Sequence, residues 1–288
     1  MFSGSIVALI TPFRDGKIDE QALAGLVDFH VENGTSAVLP CGTTGESATM
    51  SHEEHLQVIR IVIEAAAGRI PVIAGTGSNS TAEATHLTSE AARLGADGAL
   101  LVCPYYNKPT QEGLYLHYRK VAEEVDIPQI VYNVPSRTSR NIEPETIARL
   151  AGLKNIVAVK EASGSLDQAS RIASLCDITI LSGDDSLTLP LMSVGARGVI
   201  SVAANVAPAR TAALCSAWLD GDSEGARRIH YELMPLFKAL FLETNPIPVK
   251  AAVAAMGKVA EEYRLPLCPL ADSNRSRLMA VLKKQGLV

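Results

Sequence analysis

Eight short runs rich in Val, Ile and Leu recur along the chain at fairly even intervals: SIVALIT (5–11), SAVLPC (36–41), PVIAG (71–75), GALLVC (98–103), PQIVYN (128–133), NIVAVK (155–160), ITILSG (178–183) and GVISV (198–202). Several are apolar on both faces, the pattern of strands in a parallel sheet that is covered on each side. The segments between them have helical spacing. Several open on a capping signature, as at Ser51 to Glu54, Ser80 to Glu83 and Ser165 to Gln168, and several close on glycine, as at Gly34, Gly68 and Gly95. Strict alternation of strand and helix implies a parallel sheet, and eight repeats in about 200 residues predict a closed (β/α)8, or TIM, barrel instead of an open doubly wound sheet.

From Pro208 onward the pattern changes to helices only, over 209–219, 223–241, 247–256 and 272–285. The expected division is a catalytic barrel over 1–207 and a C-terminal helical region over 208–288 packed on it, with no low-complexity linker between. Pro40 disturbs the second strand, because a missing N–H weakens an interior ladder; the strand should end early or bulge there.

Composition narrows the function. A chain of 288 residues, 47% hydrophobic and 20% charged, can bury a sizeable core, and its net charge of −5 with evenly spread Lys and Arg argues against nucleic acid as a partner. Five cysteines, far apart and without a CxxC pair, fit neither a disulfide framework nor a zinc cluster and suggest reduced thiols in the cytoplasm. The N-terminal MFSGSIVALITPFR has no basic region before its apolar run, and no segment reaches the roughly 18 to 20 apolar residues of a membrane span.

In a (β/α)8 barrel the reactive face lies at the carboxyl ends of the strands. There the sequence places GTTGES (42–47), PYYN (104–107), YNVPSRT (132–138), Lys160 followed by Glu161, and SGDD (182–185). A lysine ending a strand ordinarily snorkels to water or pairs with a neighbouring acid such as Glu161. A free lysine, with a pKa of about 10.4, is neutral in only about one copy in 2,500 at pH 7, but desolvation at a barrel mouth lowers that pKa and frees the amine to attack a carbonyl. Lys160 is therefore a candidate Schiff-base former. Imine chemistry needs proton transfers, which the Tyr132 phenol at the end of the neighbouring strand can supply. The alternative for Tyr132, as for Tyr105 and Tyr106, is a core aromatic with its hydroxyl satisfied by backbone. GTTGES offers two hydroxyls and closely spaced N–H groups suited to the carboxylate of a keto acid, or it is simply a tight turn. Arg137 is a candidate anchor for a second carboxylate, or a solvated surface arginine.

Other features point elsewhere only weakly. GTGSNS (75–80) lacks the third glycine of a dinucleotide fingerprint. His52 and His55 have no convergent third ligand for a metal. Asp184 and Asp185 could hold magnesium, but a helix N-cap is the expected role of either. Neither a metal nor a cofactor is expected.

These residues carry a resemblance. GTTGESAT (42–49), IAGTGSN (73–79), PYYNKPTQEGLYLHY (104–118), YNVPSRT (132–138), VKEASG (159–164), LSGDD (181–185), GVISVAANV (198–206) and NPIPVK (245–250) resemble the dihydrodipicolinate synthases, nearly end to end. That family lies in the pyruvate-dependent class I aldolase superfamily, which also contains N-acetylneuraminate lyase. The resemblance implies condensation of pyruvate with aspartate semialdehyde in the diaminopimelate route to lysine. It makes Lys160 the Schiff-base lysine, Tyr132 the proton-transfer residue, and Thr43 and Tyr106 the rest of a relay in which Tyr106 is lent by a neighbouring subunit of a homotetramer. Thr44 would bind the pyruvate carboxylate and Arg137 that of the semialdehyde, while Gly183 and Val202 would line the pocket by their main chain. Ser47, Ala48, His52, His55, Asn79, Glu83 and Tyr105 match an inhibitory L-lysine pocket, with Glu83 on the effector's α-amino group and His55 facing its side chain.

Two rivals remain at this level. A keto-acid sugar aldolase such as N-acetylneuraminate lyase would use the same imine, but Arg137 and GTTGE in place of GSTGE favour the dicarboxylate reaction. A non-catalytic sensor of a small acid need not retain Lys160, Tyr132 and Thr43 together.

Overall fold

The computed structural model describes residues 2–288. Eight parallel strands, β1 (Gly4–Ala8), β2 (Ala37–Leu39), β3 (Ile73–Gly75), β4 (Gly98–Val102), β5 (Gln129–Asn133), β6 (Ile156–Glu161), β7 (Thr179–Ser182) and β8 (Gly198–Ser201), pair in the order β2-β1-β8-β7-β6-β5-β4-β3. The two ends of that sheet meet through a parallel bridge between Val38 and Val72, which closes the barrel. Closure is sparse there because β2 stops at Leu39, as Pro40 requires. Pro40 still contributes its carbonyl, which accepts from the Gly75 N–H at 2.9 Å.

Period-two alternation sorts the strands into two layers. Ile6, Ala8, Leu39, Ile73, Leu100, Ile130, Ala158, Leu181 and Ile200 fill the interior. Val7, Val38, Ala74, Leu101, Val131, Val159 and Val199 face outward against the helices. Between successive strands run α1 (Glu20–Glu32), α2 (His52–Ala66), α3 (Thr81–Leu94), α4 (Gln111–Glu124), α5 (Pro144–Ala151), α6 (Leu166–Leu175) and α7 (Thr188–Ser193). After β8, α8 (Pro208–Leu219) packs on β1, and α9 (Ser223–Ala239), α10 (Ile247–Ala255) and α11 (Asp272–Lys284) follow.

The three capping signatures behave differently. Ser51 and Glu54 form a full capping box. Ser80 and Ser165 cap α3 and α6 through their hydroxyls, but the partner side chains Glu83 and Gln168 turn to other partners at the barrel's upper rim.

One irregularity sets the register that matters for chemistry. Between β5 and β6, Gln129 pairs with Ile156 but Ile130 with Ala158, so Val157 is an extra residue in the ladder. Beyond this bulge Tyr132 pairs with Lys160 and Asn133 with Glu161. With Ala158 inside, Lys160 also points inside and Glu161 outside.

Candidate active site

Lys160 is 6% exposed, with its Nζ 4.1 Å from the centroid of the Tyr132 ring. Burial brings its pKa down from 10.5 to about 7; the Asp185 charge opposes the fall and the Arg137 charge adds to it. Glu161 is not its counter-ion. On the opposite face of β6 the Glu161 carboxylate accepts from Ser163 N at 2.6 Å, Asn133 Nδ2 at 3.0 Å and Gln168 Nε2 at 2.9 Å. The pairing that would keep Lys160 protonated is thus replaced by neutral donors to the acid.

A second buried lysine shows what Lys160 lacks. Lys250 and Glu46, both fully buried, form an ion pair, and the Lys250 Nζ also donates to the Glu262 carbonyl at 3.0 Å. Lys160 makes no ion pair among the described residues. A buried amine without a salt-bridge partner is the one able to act as a nucleophile.

Tyr132 is 6% exposed; burial raises its pKa, whereas the Arg137 charge and the Thr43 hydroxyl at its phenol pull it down. Thr43, Tyr132 and the glycines at 42, 75 and 77 enclose a small cavity of about 40 Å³. Gly183 lies over the lysine stem: a Cβ there would come within 2.5 Å of the Ala162 Cβ and 3.2 Å of the Lys160 Cε. Thr44 is buried, and its Oγ1 accepts from Asn245 Nδ2 at 3.0 Å. Arg137, on a single helical turn over Pro135–Thr138, donates from Nη2 to the Asn245 carbonyl at 3.2 Å. Lys160, Tyr132, Thr43, Gly183, Thr44 and Arg137 therefore gather at the mouth of one barrel.

Val202 does not join them by its side chain. If β8 continued, alternation would place Val202 inside with Ile200, but the strand ends at Ser201. Asp185 accepts from Val202 N at 3.0 Å and Ala203 N at 2.9 Å, and the chain turns into a 3-10 helix that carries the Val202 side chain into the outer layer. Its carbonyl is taken by Asn205 Nδ2 at 3.0 Å. Its N–H and carbonyl hold the turn that follows β8, and Ile200 is the inward side chain of that strand.

Asp185 also departs from its expected role. Asp184 caps the turn after β7 by accepting from Ser186 N at 3.0 Å, but Asp185 is no cap. It is buried, it accepts from Ser201 Oγ at 2.5 Å as well as from the two N–H groups, and burial pushes its pKa up to about 6. It is the acid whose charge Lys160 feels, a role sequence reasoning did not give it.

Tyr106 is not brought to the cluster within one chain: it is 90% exposed, with φ of +70°. The residues proposed for an effector lie around a second cavity of about 600 Å³, which Ser47, Ala48, His52, His55, Glu83 and Tyr105 line and which also reaches Thr43, Arg137 and Asn245. Asn79 is tied to this rim by donating to the Tyr105 carbonyl at 3.2 Å and accepting from Asn107. His55 is buried, its Nε2 is 2.6 Å from the Gly75 carbonyl, and burial lowers its pKa; as a neutral donor to that carbonyl it turns only the rest of its ring to the cavity. Glu83 is bonded by Ser78 and paired with His52, and these partners hold its pKa below the usual carboxylate range. No group of three or more His, Cys, Asp or Glu side chains that could hold a metal occurs among the described residues.

A model of the dihydrodipicolinate synthetase family matches residues 1–285. The chain belongs to that family. It is 59% identical over 290 residues, covering 100% of both chains, to the 4-hydroxy-tetrahydrodipicolinate synthase of Geotalea uraniireducens (strain Rf4). The crystal structure of the dihydrodipicolinate synthase from Aquifex aeolicus is 56% identical and superposes with a TM-score of 0.98 over 99% of each chain. A lysine-bound crystal structure of the family member from Cyanidioschyzon merolae is 43% identical, with a TM-score of 0.97 over 100% of this chain and 99% of that one. Family membership confirms the TIM barrel. No helix among the described residues is long and apolar enough to cross a membrane.

Proposed function

We propose that the chain condenses pyruvate with L-aspartate 4-semialdehyde to give 4-hydroxy-tetrahydrodipicolinate, through a Schiff base on Lys160. The observation that carries this reading is the buried Lys160 amine, without an ion-pair partner among the described residues, beside the Tyr132 ring. At a pKa of about 7 roughly half of the amine is neutral at pH 7, some 10³ times the fraction of a free lysine.

The neutral amine attacks the pyruvate ketone, and water leaves as the imine forms. Tyr132, backed by the Thr43 hydroxyl, moves the protons of that step. The cationic nitrogen draws in the electrons of a methyl C–H bond while the proton passes to the Tyr132 relay, leaving an enamine; its carbon then adds to the aldehyde as the relay returns a proton to the new alkoxide. The product's own amine then attacks the imine carbon, closes the ring and returns Lys160. Thr44 holds the pyruvate carboxylate, Arg137 that of the semialdehyde, and Gly183 leaves room over the lysine stem. Treatment with pyruvate and borohydride gives a covalent mass increase on Lys160 that vanishes in Lys160→Ala; no adduct in the wild type overturns the reading.

We further infer that the working form is an oligomer, a dimer of dimers, because a tyrosine 90% exposed on a left-handed turn completes the relay only by reaching a second copy. L-lysine inhibits by entering the larger cavity, where its α-amino group displaces His52 from Glu83. Glu83→Gln abolishes that inhibition; inhibition by millimolar L-lysine that survives the substitution refutes the site.

A further inference from the structure

Besides the Glu46–Lys250 ion pair, the GTTGES turn meets the C-terminal region through Asn245. Asn245, the first residue of NPIPVK, is buried and lines the larger cavity. Its Nδ2 donates to Thr44 Oγ1 and its main-chain carbonyl accepts from Arg137 Nη2, so one residue touches both of the proposed carboxylate anchors. A threonine hydroxyl has one hydrogen and two lone pairs. With an amide N–H donating into it, the Thr44 hydrogen must point elsewhere, and no acceptor among the described residues takes it. The Asn245 Oδ1 is likewise buried without a partner. A buried hydroxyl hydrogen without an acceptor is costly in the free protein and is completed by a ligand that accepts.

We propose that Asn245 is a positioning residue for recognition of the 2-oxo acid: its amide N–H fixes the Thr44 hydroxyl as a hydrogen-bond donor to the substrate carboxylate, a group that only accepts. The inference rests on the Schiff-base reading above. With the amide reversed, the hydroxyl would donate to Asn245 and be lost to the substrate, so the direction of this one bond decides whether Thr44 can serve.

The test is borohydride trapping of the full-length protein against a pyruvate titration, for wild type, Asn245→Asp and Asn245→Ala, and for Thr44→Val with and without Asn245→Ala. Asn245→Asp keeps the shape but offers only acceptors, so the hydroxyl turns toward it; the half-saturating pyruvate concentration rises about tenfold or more. The trapped fraction at saturating pyruvate is unchanged, since Lys160 is untouched. Asn245→Ala frees the hydroxyl to rotate and gives a rise of about two- to threefold. In the Thr44→Val background Asn245→Ala adds nothing, because there is no hydroxyl left to orient.

Unchanged half-saturation in folded Asn245→Asp, a loss of plateau in place of a shift, or an Ala effect that persists without the Thr44 hydroxyl overturns the proposal. Should Asn245→Asp fail to give a native circular dichroism spectrum, the Ala cycle decides alone. Absence of any adduct in the wild type fells the Schiff-base reading itself, and this inference with it; normal trapping with indifferent variants fells only the role of Asn245.

Discussion

Replacing Lys160 by methionine should abolish the reaction and stabilise the fold at neutral pH. In the folded protein Lys160 binds its proton only below pH about 7, whereas in the unfolded chain it binds it up to about 10.5. Between those values the unfolded state holds the extra proton, so wild-type stability rises with pH across this window. The gap corresponds to about 5 kcal/mol at about 1.4 kcal/mol per pH unit, and to about 4 kcal/mol at pH 7, where the folded amine is half protonated. Methionine has similar length and no proton to lose, so Lys160→Met removes this term. The clean signature is the pH dependence of the difference, because packing changes contribute equally at each pH. Denaturant unfolding of both proteins at pH 7, 8, 9 and 10, at one protein concentration, should show the advantage of the variant shrinking by up to about 1.4 kcal/mol per pH unit toward a constant packing difference reached above about pH 10.5. A difference that stays constant over this range means that Lys160 titrates as a solvated lysine, and the argument for a neutral nucleophile fails.

Three further outcomes follow from particular contacts. Tyr132→Phe removes the phenol but keeps the ring against Lys160; kcat falls by about 10²- to 10⁴-fold in a coupled assay, while the borohydride adduct at long incubation persists. Gly183→Ala drives a methyl to within 2.5 Å of the Ala162 Cβ and against the Lys160 Cε, so the rate of trapping drops more than the melting temperature; unaltered trapping shows that the lysine stem does not pack there. Lys250→Met leaves the fully buried Glu46 without its partner, lowering stability by about 3 to 5 kcal/mol in denaturant unfolding at pH 7, with partial recovery in the Glu46→Gln, Lys250→Met double variant.

How much of this could be read from the sequence follows from the range over which each signal acts. The strands were visible because an apolar run with a turn at its end is a local pattern, and the early stop of β2 at Pro40 needed no tertiary knowledge. Lys160 and Tyr132 were legible for the same reason: each ends a strand, adjacent parallel strands bring their ends together, and alternation gives both an inward direction. The bulge at Val157, which fixes their pairing, left no mark in the pattern. The end of β8 is where alternation stops being a guide, since Asp185 holds the Val202 and Ala203 N–H groups and ends the strand one residue sooner than the apolar run suggests. In the sequence Asp185 reads as a helix cap and Asn245 carries no role, because the meaning of both lies in contacts with residues far along the chain. The two buried lysines make the point most sharply. Lys160 ends an apolar strand and Lys250 falls inside an apolar helical segment, and in both the residues around the lysine say nothing of its counter-ion. Only the folded chain brings Glu46 to Lys250 and turns Glu161 away from Lys160, and that difference in counter-ions separates a structural cation from a nucleophile.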